Sequence, residues 1–191
     1  MNTSSPIAGD FFERLYQQHD DPWHFRSSQY EQERYRTILS MLRRPYYGSA
    51  FEAGCSIGEL TRLLAPRCAD LLAIDVSATA LNRAAERCAP FGHVRLLEAD
   101  LAMIELERPM GLIVLSEIGY YFAADVLAGI ARKMAGTLAP DGDLVACHWL
   151  GHSPDHVLHG DAVHEILSRT LPLRIHASSR HEQYRVELWT H

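Results

Sequence analysis

One stretch limits the folds open to this chain more than any other: Phe51-Glu52-Ala53-Gly54-Cys55-Ser56-Ile57-Gly58, then Glu59-Leu60-Thr61-Arg62-Leu63-Leu64, then the apolar run Leu71-Leu72-Ala73-Ile74 closing on Asp75. A short apolar strand ends at a turn of small residues, Gly58 leads into a segment of helical character, and a second strand ends in an acid. This strand, turn, helix, strand unit points to a parallel sheet with crossover helices. Its turn lets backbone approach a ligand, and a carboxylate at Asp75 can accept hydrogen bonds from two ribose hydroxyls. The unit reads as a nucleoside-cofactor site, although glycines at such bends also serve packing alone.

The pattern departs from the dinucleotide fingerprint. The spacing is Gly54, Ser56, Gly58, and the acid Glu52 precedes the turn. A pyrophosphate at the helix N-terminus would be repelled by that carboxylate, whereas a cationic ligand would not. S-adenosylmethionine, with an ammonium, a sulfonium and no phosphate, fits better than a nicotinamide dinucleotide.

At 191 residues the chain is long enough to bury about 70% of its unfolded surface as one domain. We expect residues 1–191 to form a single domain, with a helical cap over 1–45, a cofactor-binding core over 46–149, and an acceptor-side loop, helix and hairpin over 150–191. Cys55, Cys68, Cys88 and Cys147 show no paired spacing, and no basic segment followed by an apolar one opens the chain. That suggests a soluble protein of the reducing cytoplasm. No apolar run approaches the roughly 20 residues that span a bilayer. The formal charge is −6, from 18 basic and 24 acidic residues, and the bases are interspersed with acids. Nucleic acid is therefore not expected as a partner, and a small-molecule acceptor is. The oligomeric state stays open.

Residues 1 to 9 carry Ser, Pro and Gly and are expected to be mobile. Phe11, Phe12, Leu15 and Tyr16 fall at helical spacing, Asp20-Asp21-Pro22-Trp23 breaks the pattern, and Tyr30 to Leu42 resumes it. Strands are expected at 50–53, 70–75, 94–98, 112–116 and 143–149, alternating with helices at 59–64, 78–88, 126–138 and 162–169. Leu138-Ala139-Pro140-Asp141-Gly142 reads as a turn. Near the end, 173–177 and 184–189 show period-two alternation across a link, Ser178-Ser179-Arg180-His181-Glu182, too short for a helix. They predict an antiparallel pair. The fold class is α/β, a three-layer, Rossmann-like, mostly parallel seven-stranded sheet ending in an antiparallel hairpin, which is the class I methyltransferase architecture.

Several runs resemble the nodulation protein S family of S-adenosylmethionine-dependent N-methyltransferases, whose founding members act on a deacetylated chitooligosaccharide. They are Asp21-Pro22-Trp23, Tyr30-Glu31-Gln32-Glu33-Arg34, Glu52-Ala53-Gly54-Cys55 with Gly58, Leu64-Ala65-Pro66-Arg67-Cys68, Ile74-Asp75, Glu117-Ile118-Gly119-Tyr120-Tyr121 and Leu138-Ala139-Pro140-Asp141-Gly142. The likeness covers about residues 20–146, and residues 150–165 depart from it. It implies S-adenosylmethionine as cofactor and an amine acceptor such as a saccharide for this chain. It also places Asp100 against the adenine amine, with the backbone N–H of Leu101 beside it. Asp100 has the alternative role of capping a following turn.

Glu52, Gly54 and Gly58 form the expected cofactor loop, with Gly54 allowing close approach of the methionine part, and Asp75 binds the ribose. Cys55, Val76 and Ser116 complete the cofactor set. Arg34 is placed to pair with the cofactor carboxylate, or else with Glu31 as a helical salt bridge. Trp23 either closes a lid over the sulfonium or packs the cap. Methyl transfer is an in-line displacement, so the protein mainly aligns the reactants and accepts a proton. Glu117, Tyr120 and His148, near the carboxyl ends of the fourth and fifth strands, are the catalytic candidates, and Tyr121 stands beside them for substrate. The tyrosines could equally be core.

Eight of the eleven histidines lie between His148 and His191. His148, His152 and His156 have the i, i+4 spacing of helical metal ligands, but Gly151, Ser153 and Pro154 oppose a helix there, and no metal is expected. A substrate loop using His148, His152 and Asp161 is expected instead, or surface histidines. O-methylation, a nicotinamide-dependent oxidoreductase and a non-catalytic binding module stay as competing readings.

Overall fold

A computed structural model describes residues 9–191, so the expectation for the terminal residues before Gly9 lies outside the described residues. Helix α1 (Gly9–Gln18) and α2 (Gln29–Met41) precede β1 (Ala50–Ala53), α3 (Glu59–Leu64), β2 (Leu71–Asp75), α4 (Ala78–Cys88), β3 (Val94–Glu98), β4 (Met110–Ser116), α5 (Ala124–Thr137), β5 (Leu138–Trp149), α6 (Gly160–Thr170), β6 (Arg174–Arg180) and β7 (Tyr184–Thr190). The seven strands form one sheet in the order β3-β2-β1-β4-β5-β7-β6. Neighbours from β3 to β5 are parallel, and β7 is antiparallel to both β5 and β6. This is the expected class I methyltransferase architecture.

Strand side chains alternate between faces, and both faces are covered. Ile113 and Leu115 of β4 enter a core with Phe51, Leu127, Ile130, Met134, Val163 and Leu167, beneath α5 and α6. Leu112 and Val114 point the other way, into a core with Tyr35, Ile38, Leu60, Leu64, Val145 and Val186, beneath α2 and α3. Continuous apolar strands thus follow from burial on two sides. Two helices begin where the sequence supplies a cap: Ser28 accepts from Glu31 N at 3.4 Å and Ser77 from Ala80 N at 3.0 Å.

Two boundaries differ from expectation. Residues 138–142 do not form a free turn. They open β5, where pairing jumps from Met110↔Leu138 to Leu112↔Asp143, so Ala139 to Gly142 bulge opposite the single residue Gly111. Arg43 and Tyr47 fix that bulge by reaching the fully buried Asp143 carboxylate. The polar link Ser178-Ser179-Arg180 belongs to β6, paired with Glu187, Val186 and Arg185, because Ser178 Oγ donates to Glu187 Oε1 at 3.1 Å. All four cysteines are buried and unbonded to one another. Among the described residues no helix is long and apolar enough to cross a membrane, and no group of three His, Cys, Asp or Glu could hold a metal.

Candidate functional site

The chain runs outward from β1 to β2 and β3, then returns to β4 on the other side of β1. Such a reversal of strand order opens a crevice at the carboxyl ends of the strands, because the loops after β1 and β4 diverge to opposite faces. A cavity sits there. Its floor is made by the loops after β1, β2, β3 and β4, and its roof by Phe12 and Tyr16 of α1, by Trp23 and Phe25, and by Glu31, Arg34 and Tyr35 of α2.

The loop after β1 has three left-handed residues in five: Gly54 at φ 70°, Ser56 at 52° and Gly58 at 83°. The glycines are also required by packing within the fold. A Cβ on Gly54 would lie 2.6 Å from Ile118 Cδ1, and one on Gly58 would lie 3.0 Å from Ala84 Cα. Gly54 therefore admits Ile118, which itself lines the cavity, and Gly58 admits α4 while standing outside the lining. Asp75 stitches the site together, accepting from Ser56 N at 2.8 Å and Ser77 N at 3.0 Å. Burial pushes its carboxyl up to about 6 against the pull of those backbone bonds. Tyr16 hydrogen-bonds Ser56 from above, and Glu13 anchors α1 through Ser77 Oγ at 2.7 Å and Thr79 N at 3.1 Å. Those bonds, the Ser77 one foremost, lower the Glu13 carboxyl to about 2.

On the opposite wall stands Arg34, 2% exposed. It pairs with Glu31, donates to Ser116 Oγ at 2.5 Å, and lies 3.6 Å from Glu117 Oε1. The expected helical pair with Glu31 forms, and Arg34 also lines the cavity. Burial works against its charge, but the Glu117 and Glu31 carboxylates outweigh it and hold Arg34 firmly protonated. Glu117 is itself held in a left-handed conformation at φ 58°. The constraint comes from both ends, since its Oε1 accepts from Trp149 N at 2.9 Å and its Oε2 from Tyr120 OH at 2.5 Å. Burial raises its carboxyl, with Arg34 pulling the other way.

Glu52 closes the floor at 2% exposure, with Oε2 lacking any hydrogen-bond partner among the described residues. Cys55, Val76, Asp100, Leu101, Tyr120 and Tyr121 line the same cavity. Asp100 Oδ1 also caps its own turn, accepting from Ala102 N at 2.8 Å, so the capping alternative is realised alongside a place in the lining. Trp23 packs edge-on to Tyr16, with ring centres 5.7 Å apart. Its turn is held by Asp21, which accepts from Phe25 N at 2.8 Å and Arg26 N at 3.0 Å, a local reason for Asp-Pro-Trp.

Three expected residues fall elsewhere. His148 is fully buried behind the 119–121 turn, outside the lining. Its Nε2 accepts from Gly119 N at 3.1 Å, its Nδ1 lies 3.3 Å from His164 Nε2, and His164 Nδ1 lies 2.8 Å from Glu187 Oε2. The N–H donor fixes the tautomers along this row, and burial drives His148 well below its ordinary value. It is a neutral bracket for the turn, which corrects its assignment as a catalytic base. Asp161 pairs with Arg180 and Arg185 at the start of α6, and His152 sits beside His159 with rings 5.0 Å apart. Neither reaches the cavity, because Val157 N and Leu158 N bind Tyr120 O and dock a different part of that loop. His156 of that loop stacks 3.7 Å over Tyr120 and, like His148, stands outside the lining. Glu31, Phe12 and Ile118 line the cavity without having been expected as site residues. Only Glu31 carried a signal, its i, i+3 spacing to Arg34.

The profile of the family described as Nodulation protein S (NodS) matches residues 9–182, extending past both ends of the likeness read from motifs. Nodulation protein S of Bradyrhizobium diazoefficiens is 35% identical over 128 residues, 66% of this chain and 61% of that protein. The Azorhizobium caulinodans protein of the same name is 28% identical over 127 residues, 65% of this chain and 61% of that one. The matches thus span about three fifths of these relatives. The crystal structure of N-methyltransferase NodS from Bradyrhizobium japonicum with S-adenosyl-L-homocysteine superposes with a TM-score of 0.84 at 24% identity, covering 96% of this chain and 98% of that one, a likeness of fold. The chain belongs to the nodulation protein S family.

Proposed function

We propose that this chain is an S-adenosylmethionine-dependent methyltransferase that methylates the nitrogen of a small polar amine, an amino sugar or a related compound. The observation that carries this reading is the charge of the cavity. Six carboxyl side chains line it, Glu31, Glu52, Glu59, Asp75, Asp100 and Glu117, against one cation, Arg34. Such a lining repels phosphates and favours an ammonium, a sulfonium and an amine. Aromatic faces of Tyr16, Trp23 and Tyr120 add attraction for cations. The residues fit the cofactor: Glu52 Oε2 lacks a donor that an ammonium would supply, and Arg34 is the one cation for its carboxylate.

In this reading Asp75 takes the ribose hydroxyls, Val76, Asp100 and Leu101 hold the base, and Gly54, Cys55 and Ser116 frame the methionine end. Gly58 supports from outside by seating α4. When bound, the cofactor supplies an electrophilic methyl group on a sulfonium, with a neutral thioether as leaving group. Phe12, Tyr16 and Trp23 exclude water from above. Glu117, with its carboxyl raised by burial, holds the acceptor nitrogen and takes its proton as the new bond forms, while Tyr120 fixes the carboxylate and Tyr121 walls the acceptor side.

Calorimetric titration with S-adenosylhomocysteine tests the cofactor half. Binding should be seen at micromolar ligand, and Asp75→Ala should weaken it more than tenfold, about 1.4 kcal/mol. No binding at millimolar ligand would refute it.

A further inference from the structure

We infer that cofactor loading in this protein is proton-coupled: Glu52 is a carboxylic acid in the ligand-free chain and releases its proton to solvent when an ammonium enters the cavity. The inference rests on the cofactor reading above and deepens it. Its ground is the surroundings of one carboxyl. Glu52 is 2% exposed, lines the cavity, has Oε2 without a partner, and makes no ion pair among the described residues. A buried carboxylate with neither a cation nor a full set of donors is strongly disfavoured, and it takes up a proton instead.

Among the described residues, the elements packed around Glu52 offer it no positive charge. Tyr35 faces it from α2, Thr61 from α3, Asp75 from β2 and Cys88 from α4, with Cys55 on its own loop and Cys68 beyond α3. Each is neutral or acidic, and its β4 neighbour in the sheet is Val114. Arg34, the one cation of the cavity, is already engaged by Glu31, Ser116 and Glu117. Burial accordingly carries the Glu52 carboxyl up to about 8, with the Thr61 hydroxyl pulling it down and the Asp75 carboxylate pushing it up as smaller influences.

The exchange balances. An ammonium that reaches Oε2 brings the missing charge, the O–H bond of the acid breaks, its proton goes to water, and carboxylate and ammonium remain as a pair. Below the carboxyl's own titration point, each unit of pH should then change affinity about tenfold, tighter at higher pH. Asp75, with a carboxyl near 6, is mostly ionised at pH 7 and adds little there.

The test is titration calorimetry with S-adenosylhomocysteine between pH 6.5 and 7.5, in buffers of different ionisation enthalpy. The expected result is release of close to one proton per ligand and a roughly tenfold gain in affinity across that range. Glu52→Gln, which keeps the shape of the neutral acid and should fold normally, is expected to bind more weakly with no pH slope and no proton release. Infrared difference spectra should lose a carboxylic acid C=O band on binding in the wild type but not in Glu52→Gln. Binding with no proton release, or the same release from the variant, would overturn the inference while leaving the cofactor reading intact. Failure to bind throughout this range would overturn both.

Discussion

Replacing Arg34 with methionine removes the cation that pairs with two carboxylates, Glu31 and Glu117. The side chain is 2% exposed, so water cannot take its place. Glu31 Oε2 would lose both of its donors, Ser116 its 2.5 Å partner, and Glu117 the cation at 3.6 Å. Breaking a buried pair from one side costs about 3–5 kcal/mol, because the remaining charge is left uncompensated. In a chain of this size each kcal/mol shifts the melting temperature by about 2–4 °C, so a fall of roughly 6–20 °C is expected at pH 7. The double variant Arg34→Met with Glu31→Met removes the pair together, and should recover most of that loss because Glu117 keeps its bonds from Tyr120 and Trp149. Thermal unfolding followed by circular dichroism reads both. A single variant melting within about 2 °C of wild type, or a double variant that merely sums the two single losses, would refute the reasoning.

Gly58→Ala places a Cβ 3.0 Å from α4 at φ 83°, and should cost about 1–3 kcal/mol in denaturant unfolding. Stability of the ligand-free protein should fall as pH rises from about 4.5 toward 8, since the Glu52 carboxyl is raised to about 8 in the fold. Its proton favours the folded state below the unfolded value, and that contribution is lost as pH climbs through the folded one; Glu52→Gln should flatten the decline in urea titrations across this window. His148→Leu strands the Gly119 N–H and the His164 ring, so hydrogen exchange at Gly119 should speed up at least tenfold while S-adenosylhomocysteine affinity stays within about threefold, because His148 does not line the cavity.

Much of the architecture is legible from local pattern. Alternating helix and strand periods, the small residues of 54–58 and the acid closing 71–75 are short-range signals, and a parallel sheet with its crevice follows from them. The functions of particular residues depend on what lies across the fold. Gly54 reads as a ligand-approach glycine and lines the cavity, but the sequence does not show that Ile118, 64 residues away, occupies the space its missing Cβ leaves. His148 ends a strand where α/β proteins often place chemistry, yet Gly119 N and His164 turn it inward. Residues 138–142 look like a turn by composition and become a bulged strand because β4 offers an edge to pair with. The Glu31–Arg34 spacing shows a helical pair, but not that the pair is buried against Glu117. Long-range packing decides each of these, and single-chain pattern does not contain it.

Methyl transfer to an amine held beside Glu117 is tested by incubation with S-adenosylmethionine carrying a 13C-labelled methyl and a chitooligosaccharide bearing a free amine, followed by NMR of the product. Label is expected on nitrogen, with one S-adenosylhomocysteine formed per methyl and a loss of at least a hundredfold in rate with Glu117→Gln at unchanged S-adenosylhomocysteine affinity. Label appearing on a hydroxyl, or a cofactor that binds tightly but never transfers its methyl to this acceptor or to any other amine supplied, would contradict it.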